Sequence, residues 1–261
     1  MIGAELLRQA DLNYIEFNRE GARSTAGGIV HEEDGLLFFV PGHRFPVGFT
    51  GVMRLEPSLP AAGVVARARE WFASRGHGYT FCLMEHQDRD IAEALEADGV
   101  GRIGYSPGMA LDDRLPDIPL PEGVAIERVS GPALAREFAD VTGAAYATYG
   151  MPPKIAREQF ADDRFFDQPH VRAFVTRVAG AASAAAMVMV THGVAGIYWV
   201  ATTPDARGCG LAEITTRVAG NAGFDMGAKV AALQASVMGE PVYKRMGYRE
   251  ITRYPWYTIL P

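Results

Sequence analysis

Hydrophobic residues in the middle of the chain occur in short apolar runs, separated by residue pairs that end in glycine. Such runs predict strands, and the pairs between them predict tight hairpin turns. Three strands are predicted at residues 171–178, 181–190 and 194–202, with turns at residues 179–180 and 192–193.

The region before these strands changes to a helical period. Ser130 can cap a helix over residues 132–148, in which apolar residues recur on one face. A second, short helix is predicted over residues 155–160. Residues 124–129 alternate between apolar and polar, as a half-buried strand does.

The first part of the chain shows the same mixture of periods. Strands are predicted at residues 28–40, 47–55 and 79–84, and helices at residues 59–74 and 91–100. Residues 112–123 contain three prolines and three aspartates, which disfavour both helix and central strand. This run is therefore predicted to be an extended linker.

Helices and strands alternate again after the three strands. A turn is predicted at residues 203–210, helices at residues 211–221 and 242–248, and strands at residues 230–236 and 256–259. From residue 124 onward the predicted order is strand, helix, helix, three strands, loop, helix, strand, helix, strand.

The turn after the third strand has the composition of an anion-binding loop. Glycines let consecutive backbone amides converge on one anion, and Gly208 and Gly210 supply two of them. Arg207 precedes them, and a helix begins directly after them. Since the first N–H groups of a helix are unpaired and lie at the positive end of its dipole, the loop is predicted to bind an anion such as a pyrophosphate.

Two familiar phosphate-binding motifs do not fit this loop. A P-loop requires a lysine after its last glycine, and Leu211 follows Gly210. A dinucleotide fingerprint requires a third glycine and an acidic residue about 20 positions further on, but residues 227–229 contain no carboxylate. A glycine-rich helix cap without any ligand is the remaining alternative.

The loop and its surroundings resemble a known superfamily. Residues 207–212, Arg-Gly-Cys-Gly-Leu-Ala, are similar to the R-x-x-G-x-[GA] loop of the GNAT superfamily of acyl-CoA N-acyltransferases, which surrounds the coenzyme A pyrophosphate. Residues 242–248, Val-Tyr-Lys-Arg-Met-Gly-Tyr, resemble the L-Y-x-x-x-G-[FY] element of that superfamily. The resemblance covers roughly residues 123–261. It implies the GNAT fold, an α/β (α+β) architecture with a mixed sheet.

The resemblance also implies roles for individual residues. Tyr243 corresponds to a tyrosine beside the thioester sulfur that can protonate the leaving thiolate. Ser236 lies where the family commonly has an asparagine that binds coenzyme A. The backbone just before the loop would pair with the pantetheine arm. The coenzyme-binding residues implied in this way are Val200, Ala201, Thr202, Arg207, Gly208, Cys209, Gly210, Leu211, Ala212 and Ser236.

The activity that the resemblance implies is acetyl transfer from acetyl-CoA to a primary amine, on a small molecule or a peptide, by direct attack in a ternary complex. Acetyl-CoA is the expected co-substrate, and no metal is expected. The general base is unresolved: His192 lies close by in a predicted hairpin turn, and Tyr146, Tyr149, Glu158 and Tyr198 lie where the substrate side is expected. Because no base is evident, a coenzyme A-binding module or sensor without catalysis is the alternative.

The first half of the chain is predicted to be a degenerate copy of the same plan. Residues 91–100 align with the Tyr243 element at an offset of 148, which places Leu95 where the tyrosine stands. No Arg-Gly-x-Gly loop follows the predicted strands of this half. The predicted domains are residues 1–115, a degenerate GNAT-like domain, and residues 116–261, the catalytic domain.

Composition and charge restrict the partners. Of 261 residues, 48% are hydrophobic and 21% charged, which is typical of a globular protein. The net charge is −6, and residues 1–120 hold 18 acidic against 11 basic residues, which argues against nucleic acid. No apolar run approaches the roughly 20 residues that span a bilayer, and a signal peptide is not expected. The two cysteines, Cys82 and Cys209, suit reduced thiols in a cytoplasm, and a homodimer is compatible with the sequence.

Overall fold

The structure is a computed structural model, and it describes residues 3–260. In chain order its helices and strands are α1 (Ala4–Arg23), β1 (Ile29–Glu33), β2 (Leu36–Val40), β3 (Gly51–Arg54), α2 (Ala61–Ala73), β4 (Tyr79–Cys82), α3 (Arg89–Ala97), β5 (Gly104–Leu111), β6 (Val124–Arg128), α4 (Gly131–Tyr146), α5 (Pro153–Gln159), β7 (Val171–Val178), β8 (Ala181–Thr191), β9 (Val194–Thr202), α6 (Leu211–Asp225), β10 (Val230–Gln234), α7 (Glu240–Arg245) and β11 (Arg249–Ile259). The predicted α/β class with a mixed sheet is confirmed.

The described chain forms two compact units that are not continuous in sequence. The larger unit contains residues 3–16 and 109–249, and the smaller unit contains residues 17–108 and 250–260. The boundary therefore crosses α1 and β5 and falls at the start of β11. It differs from a single cut between residues 115 and 116, and the assignment of a GNAT-like domain to each predicted segment stays a prediction.

The larger unit is built on the strand order β10-β9-β8-β7-β6. The pairs β6–β7, β7–β8 and β8–β9 are antiparallel, whereas β10 runs parallel to β9. The turns at His192-Gly193 and Ala179-Gly180 have positive φ at both residues, as tight hairpins require. The three consecutive strands predicted at residues 171–202 are thereby confirmed.

The smaller unit has the strand order β1-β2-β3-β4-β11. The strand predicted over residues 28–40 is wrong as a single strand, because Asp34 and Gly35 adopt positive φ and turn the chain into the hairpin β1–β2. An Asp-Gly pair between apolar runs is a strong hairpin motif. The last strand pairs antiparallel with β4, with Trp256 opposite Cys82, so it extends the strand order of this unit.

Helix α1 has no counterpart among the predicted elements. Its buried face combines Ala10, Tyr14 and Ile15 with the polar residues Asp11 and Asn13, so the apolar stripe is interrupted in the sequence. Within the larger unit, the side-chain amide of Asn13 donates to the carbonyls of Met189 and Val194 at 3.1 and 3.2 Å. Those bonds satisfy a buried amide, which explains how a polar residue is tolerated there.

Helix α6 lies against β8 and β9, and this packing fixes where the helix begins. At Gly223 an added Cβ would lie 2.3 Å from the Cβ of Ala195 and 3.0 Å from Cγ2 of Val188. Only a residue without a Cβ fits at this distance. The close approach therefore sets the position of the whole helix, including its N-terminal turn after the glycine loop.

We expect Gly223→Ala to lower the free energy of unfolding by about 1–3 kcal/mol, because the new methyl group overpacks the contact with β9. Gly63→Ala is the matched control: it lies in α2 with nothing within 4 Å of the added Cβ, and it should stabilise the protein by about 0.4–1 kcal/mol. Chemical denaturation of both variants measures the difference. Equal effects would show that the approach of α6 to the strands is not tight.

Candidate functional site

Strand β9 carries a β-bulge near the end that precedes the glycine loop. Opposite β8, its register changes between the pairs Met187–Tyr198 and Ala185–Ala201, so β9 holds one extra residue. Trp199 takes up this residue with φ of 53°, a conformation that a bulky side chain adopts only under constraint. The constraint is aromatic packing, because the buried Trp199 ring lies 5.3 Å from the ring of Tyr146 and 4.9 Å from that of Phe160.

Beyond the point of the bulge, β9 has no partner strand on its β10 side. The parallel pairing with β10 ends at Ile197 opposite Leu233, whereas β9 continues to Thr202. The backbone at residues 200–202 therefore presents hydrogen-bonding groups on that side without a strand to pair them in the described part of the chain. Such groups bind an extended polar ligand as an added strand.

The glycine loop begins directly after this strand. Gly208 and Gly210 have φ of 81° and 75°, in the left-handed region, and nothing lies within 4 Å of where a Cβ would be on either residue. Gly210 is also the N-cap of α6, and Ile214 donates the first helical hydrogen bond to its carbonyl. Among the described residues, no backbone carbonyl accepts from the amides of residues 208–213. These amides, together with the helix dipole, form a site suited to an anion.

The side chain of Arg207 holds the loop in place. Its guanidinium donates to the carbonyl of Thr202 at 3.4 Å, to the carbonyl of Ala145 at 3.2 Å and to the hydroxyl of Thr148 at 3.3 Å. Arg207 therefore joins the end of β9 to the end of α4. Because the Arg207 side chain already has protein acceptors, the backbone amides of the loop are the hydrogen-bond donors that stay available to a ligand.

The unpaired end of β9, the glycine loop and the turn before α7 enclose a cavity of about 350 Å³. Nine of the ten predicted coenzyme-binding residues line it, and so does Tyr243. The tenth, Cys209, is exposed and is not among the lining residues. The cavity is also lined by residues that were not predicted to bind coenzyme A. They are Ala145, Tyr146, Tyr149, Ala206, Glu213, Met238, Gly239, Val242 and Arg245.

Tyr243 combines burial with a position on the cavity wall. It is 6% exposed, and burial raises the pKa of its phenol above the ordinary value of 10. The phenol therefore stays protonated at neutral pH and can donate a proton or a hydrogen bond. The neighbouring Tyr248, whose ring lies 5.9 Å away, belongs to the hydrophobic core.

Ser236 connects the two sides of the cavity. Its hydroxyl oxygen accepts from the amide of Gly239 at 3.1 Å and from the phenol of Tyr149 at 3.2 Å. Since a hydroxyl also carries one proton of its own, Ser236 keeps a donor for a ligand. Tyr149 was one of several tyrosines predicted on the substrate side, and the structure places it on the cavity wall with about half of its surface exposed.

The residues considered as a general base are not gathered at the cavity. His192 lies in the β8–β9 turn, at the far end of β9, with Glu16 at 3.9 Å. Tyr198 is buried and donates to the side-chain oxygen of Asn13 at 2.6 Å, and Glu158 is exposed on α5. The lining residues include one carboxylate, Glu213, which forms an ion pair with Arg217 at 3.0 Å. Of the earlier candidates, only Tyr146 and Tyr149 line the cavity.

The described residues show neither a metal-binding cluster nor a membrane-spanning helix. Between residues 3 and 260 no group of three or more His, Cys, Asp or Glu side chains is placed to hold a metal ion. No helix in the same range combines the length and the apolar character needed to cross a membrane.

Solved structures with this fold are numerous, although sequence comparison alone finds no relative. The sequence matches no family model and no curated protein. A GCN5-related N-acetyltransferase from Kribbella flavida superposes with a TM-score of 0.73 at 19% identity, over 99% of this chain and 96% of that chain. A GCN5-related N-acetyltransferase from Sphaerobacter thermophilus gives 0.62 at 15% identity, over 87% and 80% of the two chains.

A third similar structure is of interest because of the predicted repeat. It is a tandem GNAT protein from the clavulanic acid biosynthesis pathway, with a TM-score of 0.60 at 15% identity, over 98% of this chain and 94% of that chain. The chain therefore has the fold of the GNAT N-acetyltransferases, as the two motifs predicted. At these identities the likeness establishes the fold.

Buried phenols near the cavity predict a loss of stability at high pH. Burial raises the pKa of both Tyr243 and Tyr248 above the unfolded value near 10. A raised acid pKa contributes stability that is complete below pH 10 and is lost as the pH rises towards the folded pKa. Each such phenol should cost on the order of 1 kcal/mol at pH 11. Denaturation at pH 9 and pH 11 measures this, and Tyr243→Phe should lose less stability than the parent by on the order of 1 kcal/mol.

The control for this measurement is Tyr105→Phe, which removes the hydroxyl of a tyrosine that is 44% exposed. If Tyr243→Phe lost as much stability between pH 9 and pH 11 as the parent, the Tyr243 phenol would titrate as an exposed one. Its assignment as a buried acid would then be wrong.

Proposed function

We propose that the protein is an acetyl-CoA-dependent N-acetyltransferase that acetylates a primary amine by direct attack in a ternary complex. The observation that carries the proposal is the convergence of independently predicted residues on one cavity. The strand end, the glycine loop, Ser236 and Tyr243 are far apart in sequence, yet all line the same 350 Å³ space. A GNAT fold found by superposition supports the same reading of the site.

The residues present fit coenzyme A as a ligand. The loop amides at residues 208–213 would hold the pyrophosphate, because Gly208 and Gly210 leave open the space that a Cβ would fill. The unpaired side of β9 would bind the pantetheine amides through residues 200–202. Ser236 would add one hydrogen bond from its hydroxyl.

The chemistry proposed for the site needs little beyond positioning and one proton. The neutral amine nitrogen would form a bond to the thioester carbonyl carbon while the carbon–sulfur bond breaks, and the nitrogen would lose one proton to solvent water, from which the Tyr243 phenolate is protonated again. Tyr243 would give its phenol proton to the departing thiolate, which a protonated phenol can do at neutral pH. Holding the two reactants together can itself lower the barrier by several kcal/mol.

A coenzyme A-binding module without catalysis is the second candidate, and one observation favours it. The lining residues include no histidine, and their one carboxylate, Glu213, is already paired with Arg217. The two functions are separated by mixing the protein with acetyl-CoA and a panel of primary amines and measuring thiol release. Release with at least one amine supports the enzyme, and binding without release under all conditions supports the module.

We expect Gly210→Val to raise the dissociation constant for acetyl-CoA at least tenfold, or about 1.4 kcal/mol. Valine is strained at φ of 75°, and its side chain would fill the space in front of the loop amides. Isothermal titration calorimetry measures the affinity. Gly227→Val is the control, since Gly227 has a similar positive φ and open surroundings but does not line the cavity. Unchanged affinity in Gly210→Val would contradict the loop assignment.

We expect Tyr243→Phe to lower kcat by about 10²–10⁴-fold while acetyl-CoA affinity stays within a few-fold. Phenylalanine keeps the packed ring and removes the hydroxyl group, and with it the proton that would be donated. The raised pKa of Tyr243 further implies that the parent loses no activity through this group as the pH rises to 10. Tyr248→Phe, which removes a neighbouring buried hydroxyl, serves as the control. If Tyr243→Phe retained full kcat from pH 7 to pH 10, the phenol would be structural.

A further inference from the structure

The two units contain the same run of elements, each with a parallel strand pair. In the larger unit β9 is followed by a loop, α6, β10 and α7, with β10 parallel to β9. In the smaller unit β3 is followed by a loop, α2, β4 and α3, with β4 parallel to β3. The loop between β10 and α7 in one unit thus corresponds to the loop between β4 and α3 in the other.

Backbone hydrogen bonds fix this correspondence at an offset of 148 residues. The carbonyl of Asp88 accepts from the amides of Ile91 and Ala92. In the same pattern, the carbonyl of Ser236 accepts from the amides of Gly239 and Glu240. Asp88 and Ser236 therefore occupy equivalent positions at the start of a helix.

The far ends of the two helices match at the same offset. Val100 donates to the carbonyl of Leu95, as Tyr248 donates to the carbonyl of Tyr243. A glycine with positive φ, Gly99 or Gly247, precedes the donor in each case, and nothing else about the sequences requires this agreement. The predicted alignment of Leu95 with Tyr243 is thereby supported by backbone geometry.

A charged pair in the smaller unit stands where a small polar side chain lines the cavity in the larger one. Ser236 begins the turn into α7 and lines the cavity, and its counterpart is Asp88. Asp88 is paired with Arg54, the last residue of β3, which lies just beyond the last β3–β4 pair at Val52. Arg54 therefore stands at the strand end of this unit, next to the counterpart of Ser236.

Arg54 joins the loop before α2 to the turn before α3 and to the first turn of α3. Its Nε donates to Oδ1 of Asp88 at 2.9 Å, and its two terminal nitrogens donate to the carboxylate oxygens of Asp90 at 2.9 and 2.8 Å. It also donates to the carbonyl of Leu59, in the loop before α2, at 2.9 Å, and to that of Gln87, before α3. Each guanidinium nitrogen thus has an acceptor.

The Arg54–Asp88 pair is fully enclosed. Both side chains are 1% exposed, whereas that of Asp90 is 51% exposed. The second oxygen of Asp88 accepts from the amide of Met84 at 2.8 Å, so its carboxylate is also satisfied. A buried charge pair is stable only when its hydrogen-bonding capacity is filled, and removal of one partner leaves the other uncompensated.

We propose that Arg54 is an internal ligand of the smaller unit. Its guanidinium occupies the place that corresponds to the cavity in the larger unit, with Asp88 and Asp90 as its counter-ions. The ion pair joins the strand end to the helix start, across the place where an extended ligand would have to lie. If the smaller unit is closed in this way, the chain binds one coenzyme A molecule. This consequence rests on the proposed function, whereas the role of Arg54 does not.

The test is to empty the site and refill it with a small cation of the same shape. Arg54→Ala should lower the melting temperature, because it leaves a guanidinium-sized space facing two carboxylates. Millimolar ethylguanidinium should then raise the melting temperature of the variant by about 3 °C or more, with saturation, and should not raise that of the parent. Tetramethylammonium, which has no N–H donors, should have no such effect.

The matched control is Arg253→Ala, which removes an arginine of the same unit whose pair with Glu250 is solvent-exposed. Ethylguanidinium should not stabilise it. If Arg54→Ala does not fold alone, its soluble yield on refolding with ethylguanidinium, compared with tetramethylammonium, replaces the melting temperature as the readout. An equal response of both variants, or no response of Arg54→Ala, overturns the proposal.

Calorimetry on the full chain tests the consequence for the coenzyme. One acetyl-CoA per chain is expected, and two equivalent molecules would show that the smaller unit is not closed. If the parent bound no acetyl-CoA at all, the proposed function would fail. The response of Arg54→Ala to ethylguanidinium would still decide the role of Arg54, since that readout involves no coenzyme.

Discussion

The candidate site depends on the separation of two neighbouring strands. β9 and β10 are paired up to Ile197 and Leu233, and beyond this point β9 continues without β10. Unpaired backbone groups are costly when buried, so a strand end of this kind is stable when water or a ligand can reach it. The extra residue at Trp199 and the aromatic packing around it hold β9 in the bulged conformation.

The separation is useful because the helix that follows is fixed with respect to the strand. Gly223 lets α6 approach Ala195 closely, and Arg207 ties the loop to the end of α4. The amides of residues 208–213 and the open side of β9 are therefore held as one surface. A rigid arrangement of this kind reduces the entropy lost when a long, flexible ligand is bound.

Much of the larger unit could be predicted from sequence, because its information is local. The hairpins at residues 179–180 and 192–193 and the glycine loop each depend on a few adjacent residues. The bulge at Trp199 could not be predicted, since its strand has an ordinary apolar sequence and the bulge depends on packing against Tyr146 and Phe160.

The elements that were missed depend on contacts distant in sequence. The buried face of α1 includes polar residues such as Asn13, whose hydrogen-bond acceptors lie about 180 residues away along the chain. Neither Arg54 nor Asp88 belongs to a sequence motif, and the equivalence of Asp88 with Ser236 is visible only in the backbone hydrogen bonds. The Asp34-Gly35 turn, in contrast, had a local motif and could have been predicted.

The pairing of β11 with β4 has a consequence for the order in which the chain folds. β4 lies between β3 and β11 in the smaller unit, although residues 83–248 separate β4 from β11 along the chain. During synthesis on a ribosome, the smaller unit must wait with one edge of β4 open until residues 250–259 emerge. An open edge can pair with other chains, so this interval is when the nascent protein most needs protection from aggregation.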